Sequence, residues 1–182
     1  MEYIVLDFET TGLSTKEKIV NGVVHYPAEI IEIGITEIID GKLGRDMSKF
    51  IKPKNLIPEN ITEITQITNE MVKNAKSIEE VLPAFRKYIG DKTVIAHNGN
   101  RYDIPLINYY LGKMNLPLIT NHIDTIQLLK NTPSYTGANN KLGTACEFYG
   151  IKNVQAHRAY ADTHATAQLF LKLEQENGRM LF

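Results

Sequence analysis

One cysteine stands among 182 residues, so no disulfide framework can staple this chain. Cys146 falls in a helical pattern, where its expected role is core packing. Long apolar runs are missing too. The longest are far too short to span a bilayer, which excludes a membrane-spanning helix and leads us to expect no membrane partner. Met-Glu-Tyr-Ile at the N-terminus lacks the basic start of a signal peptide, so the expected location is cytoplasmic. A dominant charge is absent as well: 20 Lys+Arg against 21 Asp+Glu leave a net −1. That balance predicts no strong non-specific attraction to nucleic acid. A polyanionic ligand would need local basic residues and bound metal to supply positive potential. No charge block, internal repeat or Pro/Ser-rich linker divides the chain. With 43% apolar residues it can build one sizeable core. A single domain over 1–178 is expected, followed by a short tail at 179–182.

Residues 2–8 read as a strand, and 29–39 as a β-rich run. Asp40-Gly41 marks a tight hairpin into a third strand near 42–52. Ser77-Ile-Glu-Glu80 has capping-box spacing and opens an amphipathic helix to Tyr88, with Gly90 past its end and Pro83 inside it. Thr93–His97 is a short buried strand. A helix from Asp103 to about Gly112 follows, then a strand ending at Ile123. Asp124 and Gln127 then cap another helix. Residues 131–140 read as a loop, 141–149 as a helix, and Ala159–Asn177 as a last helix stopped at Gly178. Three meandering strands followed by alternating helices and strands imply a mixed α/β sheet flanked by helices.

Five acid–base residues carry the chemical signal. In Val-Leu-Asp-Phe-Glu-Thr-Thr-Gly (5–12), Asp7 and Glu9 project from one face of a strand end. Two carboxylates about 6 Å apart repel by roughly 3 kcal/mol at an effective dielectric near 20, so a fold keeps them together around a cation. Oxygen ligands without nearby cysteine suit Mg²⁺ or Mn²⁺ rather than zinc. Alone, Asp-x-Glu also fits a solvated strand end. Thr-Thr-Gly sharpens the case, because turn N–H groups and hydroxyls can cradle a phosphate or a 3′ end. Asp103 fits a helix N-cap, yet it follows His97 and Asn98 at a strand's carboxyl end, where ligands gather in open α/β sheets. Asp162 shares the helical stripe 162, 166, 169, 173 with Leu169 and Leu173, and a carboxylate on a buried stripe needs a partner or a metal. Small Ala156, Ala159, Ala161 and Ala165 leave room for a ligand. His157, at the entrance to this helix, is well placed as a general base for water. Asp124 is explained as a cap, and Glu29 and Glu32 as solvated strand residues. The tyrosines at 109, 110 and 149 read as packing.

These residues resemble the DEDDh group of 3′→5′ exonucleases, typified by the proofreading epsilon subunit of bacterial DNA polymerase III. The match runs through Asp7-Phe-Glu9-Thr-Thr-Gly, His97-Asn98…Tyr102-Asp103 and His157-Arg-Ala-Tyr-Ala-Asp162. Ile61-Thr62…Ile67-Thr68-Asn-Glu-Met71-Val72 looks like the family's linker before its first helix, and the resemblance covers about residues 1–174. It implies an RNase H-like mixed sheet of about five strands, one antiparallel to the rest, and two divalent ions. It also implies Asp7, Glu9 and Asp162 as metal ligands, Asp103 as a ligand partly through water, and His157 as the base. Thr10, Gly12 and Leu13 would hold the terminal nucleotide, with His97 and Asn98 near its phosphate. Tyr102 stands where phenylalanine is usual and Gln66 where glycine is common. Residues 14–27, with Lys16, Lys18 and His25, are longer than usual and read either as an overhang of the site or as a solvated loop.

The expected activity is metal-dependent release of nucleoside 5′-monophosphates from single-stranded or frayed DNA 3′ ends, in proofreading or repair, with a DNA polymerase complex as a partner to test. The same chemistry on RNA or short oligoribonucleotides is the alternative. A catalytically inactive nucleic-acid-binding or polymerase-docking module is a third reading, against which the intact acids and base argue.

Overall fold

The computed structural model describes residues 2–153 and 155–178; the expected tail at 179–182 lies outside them. Chain order among the described residues is β1 (Glu2–Thr10), β2 (Lys18–Val20), β3 (Val23–His25), β4 (Ile30–Ile39), β5 (Lys42–Phe50), α1 (Glu59–Thr65), α2 (Asn69–Val72) and α3 (Ile78–Ile89). Then follow β6 (Thr93–Ala96), α4 (Asp103–Lys113), β7 (His122–Asp124), α5 (Thr125–Lys130), α6 (Leu142–Phe148) and α7 (Ala159–Glu176). Five strands form one sheet in the order β5-β4-β1-β6-β7. Only β4 runs against the others, being antiparallel to β1 and β5, while β6 and β7 continue parallel to β1. This is the mixed sheet the resemblance implies.

Alternation along β1 divides the core in two. Ile4, Leu6 and Phe8 pack with Leu82 and Phe85 of α3 and Ile107 and Leu111 of α4. Tyr3 and Val5 point the other way, onto Leu169, Phe170 and Leu173 of α7. Cys146 lies buried in that second layer, where burial pushes its thiol up to about 11, so it is an inert packing group.

Local signals account for most boundaries. Asp40 and Gly41 take φ of 50° and 72°, the positive pair that a type I′ turn requires. Ser77 and Glu80 form the full capping box at the start of α3. That helix continues through Pro83 because Leu82, Phe85 and Ile89 are buried on its inner face, which outweighs a proline cost of about 3 kcal/mol. Gln66 ends α1 at φ 59°, a left-handed conformation that explains why glycine is the usual occupant there. The segment read as the linker before the first helix itself contains two short helices, α1 and α2. The long connection after β1 differs as well: β2 and β3 pair as a small exposed hairpin around Asn21 (φ 52°) and Gly22 (φ 76°).

Candidate active site

Asp7 and Glu9 continue the row begun by Tyr3 and Val5, so they leave β1 on the side of α7. Across the ladder Asp7 faces Gly34 and Glu9 faces Glu32 of β4. Gly34 lets the helix come close: a Cβ there would lie 2.3 Å from the backbone carbon and oxygen of Ala159. The first turn of α7 thus rests on bare β4 backbone, directly beside Asp7.

Glu32 locks that contact. It is fully buried and accepts from Arg158 Nε at 3.0 Å, Arg158 Nη2 at 2.9 Å and the Ala159 N–H at 3.1 Å. The Arg158 guanidinium also lies 5.4 Å from the Phe50 ring centre and 5.5 Å from that of Tyr160. Glu32 was expected on a solvated face, and the structure corrects this. β4 is an interior strand covered on both sides, so the acid is buried and requires its cation. Glu29 is likewise half-buried, accepting from the backbone N–H and side-chain amide of Asn55 at 3.1 and 2.8 Å.

One turn into α7, Asp162 meets the β1 pair. Asp7, Glu9 and Asp162 each place a carboxylate oxygen within 4.8 Å of the others. On the same stripe Thr166, Leu169 and Leu173 are buried, as the spacing requires. Asp103 is the first residue of α4 and makes no capping bond, so the N-cap reading fails there. Its side chain is buried, and its Oδ1 has no hydrogen-bond partner among the described residues. Its charge is one of those acting on Asp7.

The electrostatics follow from that crowding. Burial, then Asp103, Glu9 and Asp162, push the Asp7 carboxyl well above the ordinary range. Burial followed by Asp162 and Glu32 raises Glu9 to about 8, with Arg158 opposing. Burial raises Asp103 to about 7 despite backbone hydrogen bonds from its own N–H and that of Phe8. Burial raises Asp162 as well, opposed by Asn153 and His157. An acid cluster this reluctant to ionise, with one buried oxygen unpartnered and donors that are all oxygen, fits a hard divalent cation.

His157 sits at the mouth. Its backbone is left-handed at φ 67°, its N–H donates to Asp162 Oδ2 at 2.9 Å, and its side chain is exposed. Asn153 donates to the other Asp162 oxygen at 2.5 Å. The Thr10–Leu13 turn is braced from within: Thr10 Oγ1 donates to the Gly12 carbonyl at 2.7 Å, and the Tyr102 hydroxyl donates to the same carbonyl. Tyr102 therefore uses the hydroxyl that a phenylalanine would lack. Leu13 leaves the turn 88% exposed.

His97 is structural in its bonding. Nε2 donates to the Asn140 carbonyl at 2.9 Å, so Nδ1 is the acceptor for the Thr125 hydroxyl at 2.8 Å, and burial lowers its pKa. Beside it Asn98 has φ 64° and a backbone N–H donated to Asp124 Oδ1 at 2.9 Å. Asp124 caps α5 through Ile126 N, as its spacing predicted, and also ties down Asn100 N at 3.1 Å. The tyrosines pack: Tyr109 meets Tyr110 edge-on at 5.3 Å, and Tyr149 stacks on Tyr135. Sequence reasoning missed Glu32, Arg158, Asn153 and the Tyr102 hydroxyl. Glu32 alone carried a signal, as the one acid inside Ile-Ile-Glu-Ile-Gly-Ile.

Comparison with known proteins agrees with this geometry. The Exonuclease (RNase T) family profile matches residues 4–170. The PolC-type DNA polymerase III of Caldanaerobacter subterraneus subsp. tengcongensis is 37% identical over 173 residues, covering 94% of this chain and 11% of that protein. The chain thus spans about a tenth of the length of the curated relatives it matches. Among solved structures, Exonuclease X in complex with 5′ overhanging duplex DNA superposes with a TM-score of 0.73 at 25% identity, covering 97% of this chain and 93% of that one. The nuclease domain of 3′hExo, a DEDDh family member bound to rAMP, shares the fold, with a TM-score of 0.76 at 15% identity over 97% and 92% of the two chains. With acids on β1, α4 and α7 in family order and the profile spanning nearly the whole sheet, the chain belongs to the Exonuclease (RNase T) family.

Proposed function

We propose that this chain is a metal-dependent 3′→5′ exonuclease that releases nucleoside 5′-monophosphates from single-stranded or frayed DNA 3′ ends. The observation that carries it is the meeting of Asp7, Glu9 and Asp162 within 4.8 Å beside the unpartnered oxygen of Asp103. Asp7, Glu9 and Asp162 are assigned as ligands of two divalent ions, Mg²⁺ or Mn²⁺, with Asp103 contributing partly through water. Bound there, the ions would supply charge neutralisation and a Lewis-acid clamp for the phosphodiester. His157 takes the proton of the attacking water, and its backbone bond to Asp162 ties base to acid. Thr10 and Gly12 shape the turn that receives the terminal nucleotide, and exposed Leu13 lies against its base. Asn98 offers its amide to the phosphate, and His97 is the strut that holds Asn98 in place. DNA is preferred because the relatives with substantial identity are named as DNA polymerase III. A polymerase complex is the corresponding partner.

Matched 3′- and 5′-labelled DNA and RNA oligomers, incubated with Mg²⁺ or Mn²⁺, test this reading. Mononucleotides should appear first from a free 3′-hydroxyl of DNA, slowed by a 3′-phosphate. Faster turnover of the RNA set would move the substrate to RNA. Efficient cutting of closed circular single strands, or full activity in excess EDTA, would overturn the proposal.

A further inference from the structure

A groove of about 670 Å³ opens between the 97–101 loop, α5 and the start of α6. Arg101, Lys130 and Lys141 line it from three separate segments, and all three are exposed. None has a carboxylate partner among the described residues. Asp124 is the one carboxylate lining the groove. It is turned inward, its oxygens taken by the N–H groups of Asn98, Asn100 and Ile126. Three cations therefore line one groove without a free carboxylate beside them, in a chain whose net charge is −1. An anion with several charges in a row would gain from all three at once. The loop that forms one wall also carries Asn98 and leads into Asp103, so the groove and the acid cluster share an element at the carboxyl end of β6.

We propose that this groove is the track for the phosphodiester backbone of the substrate strand upstream of its 3′ end, with Arg101, Lys130 and Lys141 contacting successive phosphates. The proposal rests on the nuclease reading and deepens it. Affinity gained here is sequence-independent, because phosphates position a strand and only base edges specify it. Its signature is salt dependence: each phosphate contact on a single strand contributes about 0.7 to the slope of log affinity against log salt concentration.

The test is fluorescence anisotropy with labelled (dT)12 in EDTA over a range of KCl concentrations. It uses the wild-type chain, the variant R101A/K130A/K141A, and a charge-matched control, K42A/K87A/K172A, altered at exposed sites elsewhere. The groove variant should bind about tenfold or more weakly at low salt and lose about 2 from the slope, while the control keeps the wild-type slope. An unchanged slope in the groove variant, or an equal loss in the control, overturns the track. Thermal melting checks that each variant is folded. Wild-type hydrolysis of the same oligomer with Mg²⁺ is followed in parallel. If hydrolysis fails, the nuclease reading falls; if it proceeds with an unchanged variant slope, only the track falls.

Discussion

The two rows of β1 differ at one end only. Ile4, Leu6 and Phe8 form an unbroken apolar row against α3 and α4. Tyr3 and Val5 begin an equally apolar row against α7, but it ends in Asp7 and Glu9. Adjacent residues on one strand thus serve opposite ends. Leu6 is a buried core residue, whereas Asp7 is a buried carboxylate crowded by other acids and, on the reading proposed above, belongs to the site. Confining the acids to one end of one layer leaves the rest of both layers to hold the sheet. A family member can then keep four acids together without losing its core.

Breaking the acidic row should have the largest effect. Asp7→Ala or Asp162→Ala should nearly abolish Mg²⁺-dependent hydrolysis, yet leave the melting temperature in EDTA unchanged or higher, since removing one carboxylate relieves repulsion. Wild-type turnover in either variant would place the chemistry elsewhere. His157→Ala should reduce the rate by roughly 10²–10⁴-fold while calorimetry still detects Mn²⁺ binding. Metal affinity lost in parallel with turnover would make His157 a ligand instead.

The apolar row responds in the opposite sense. Leu6 is 1% exposed, so Leu6→Ala should cost about 2–5 kcal/mol in urea unfolding, with little change in turnover per folded molecule. A loss of turnover without loss of stability would mean that the two rows are not separable.

The last way to test the comparison is a pH dependence. Glu9 and Asp103 have folded values of about 8 and about 7 against ordinary values of 4.5 and 3.8. Raised carboxyls keep their protons in the folded state while the unfolded chain ionises. Their contribution is therefore fully present below about pH 4 and is lost as pH rises through 7 to 8. In EDTA the melting temperature should fall across that window, and Mn²⁺ should restore it most at the alkaline end. A flat profile for the metal-free chain would show that the acids are not strained against one another.

Local signals were legible. The period of two that puts Asp7 beside Glu9, the helical stripe through Asp162, the Ser77 capping box and the Asp40-Gly41 turn each depend on residues a few positions apart. Asn21-Gly22 was an equally good hairpin signal, and it would have found β2 and β3. Glu32 was misjudged because its burial depends on β4 lying inside the sheet, which neighbouring residues do not specify.

By itself the sequence determined which acids and which histidine to propose for the chemistry and on which elements they ride, because side-chain periodicity and turn chemistry are short-range. Only the tertiary structure decided how they are held. Arg158 reaches Glu32 across 126 positions, Tyr102 braces Gly12 across 90, and His97 joins Thr125 to Asn140. Each is a partly buried hydrogen bond between residues far apart in the chain, whose partner no local pattern encodes.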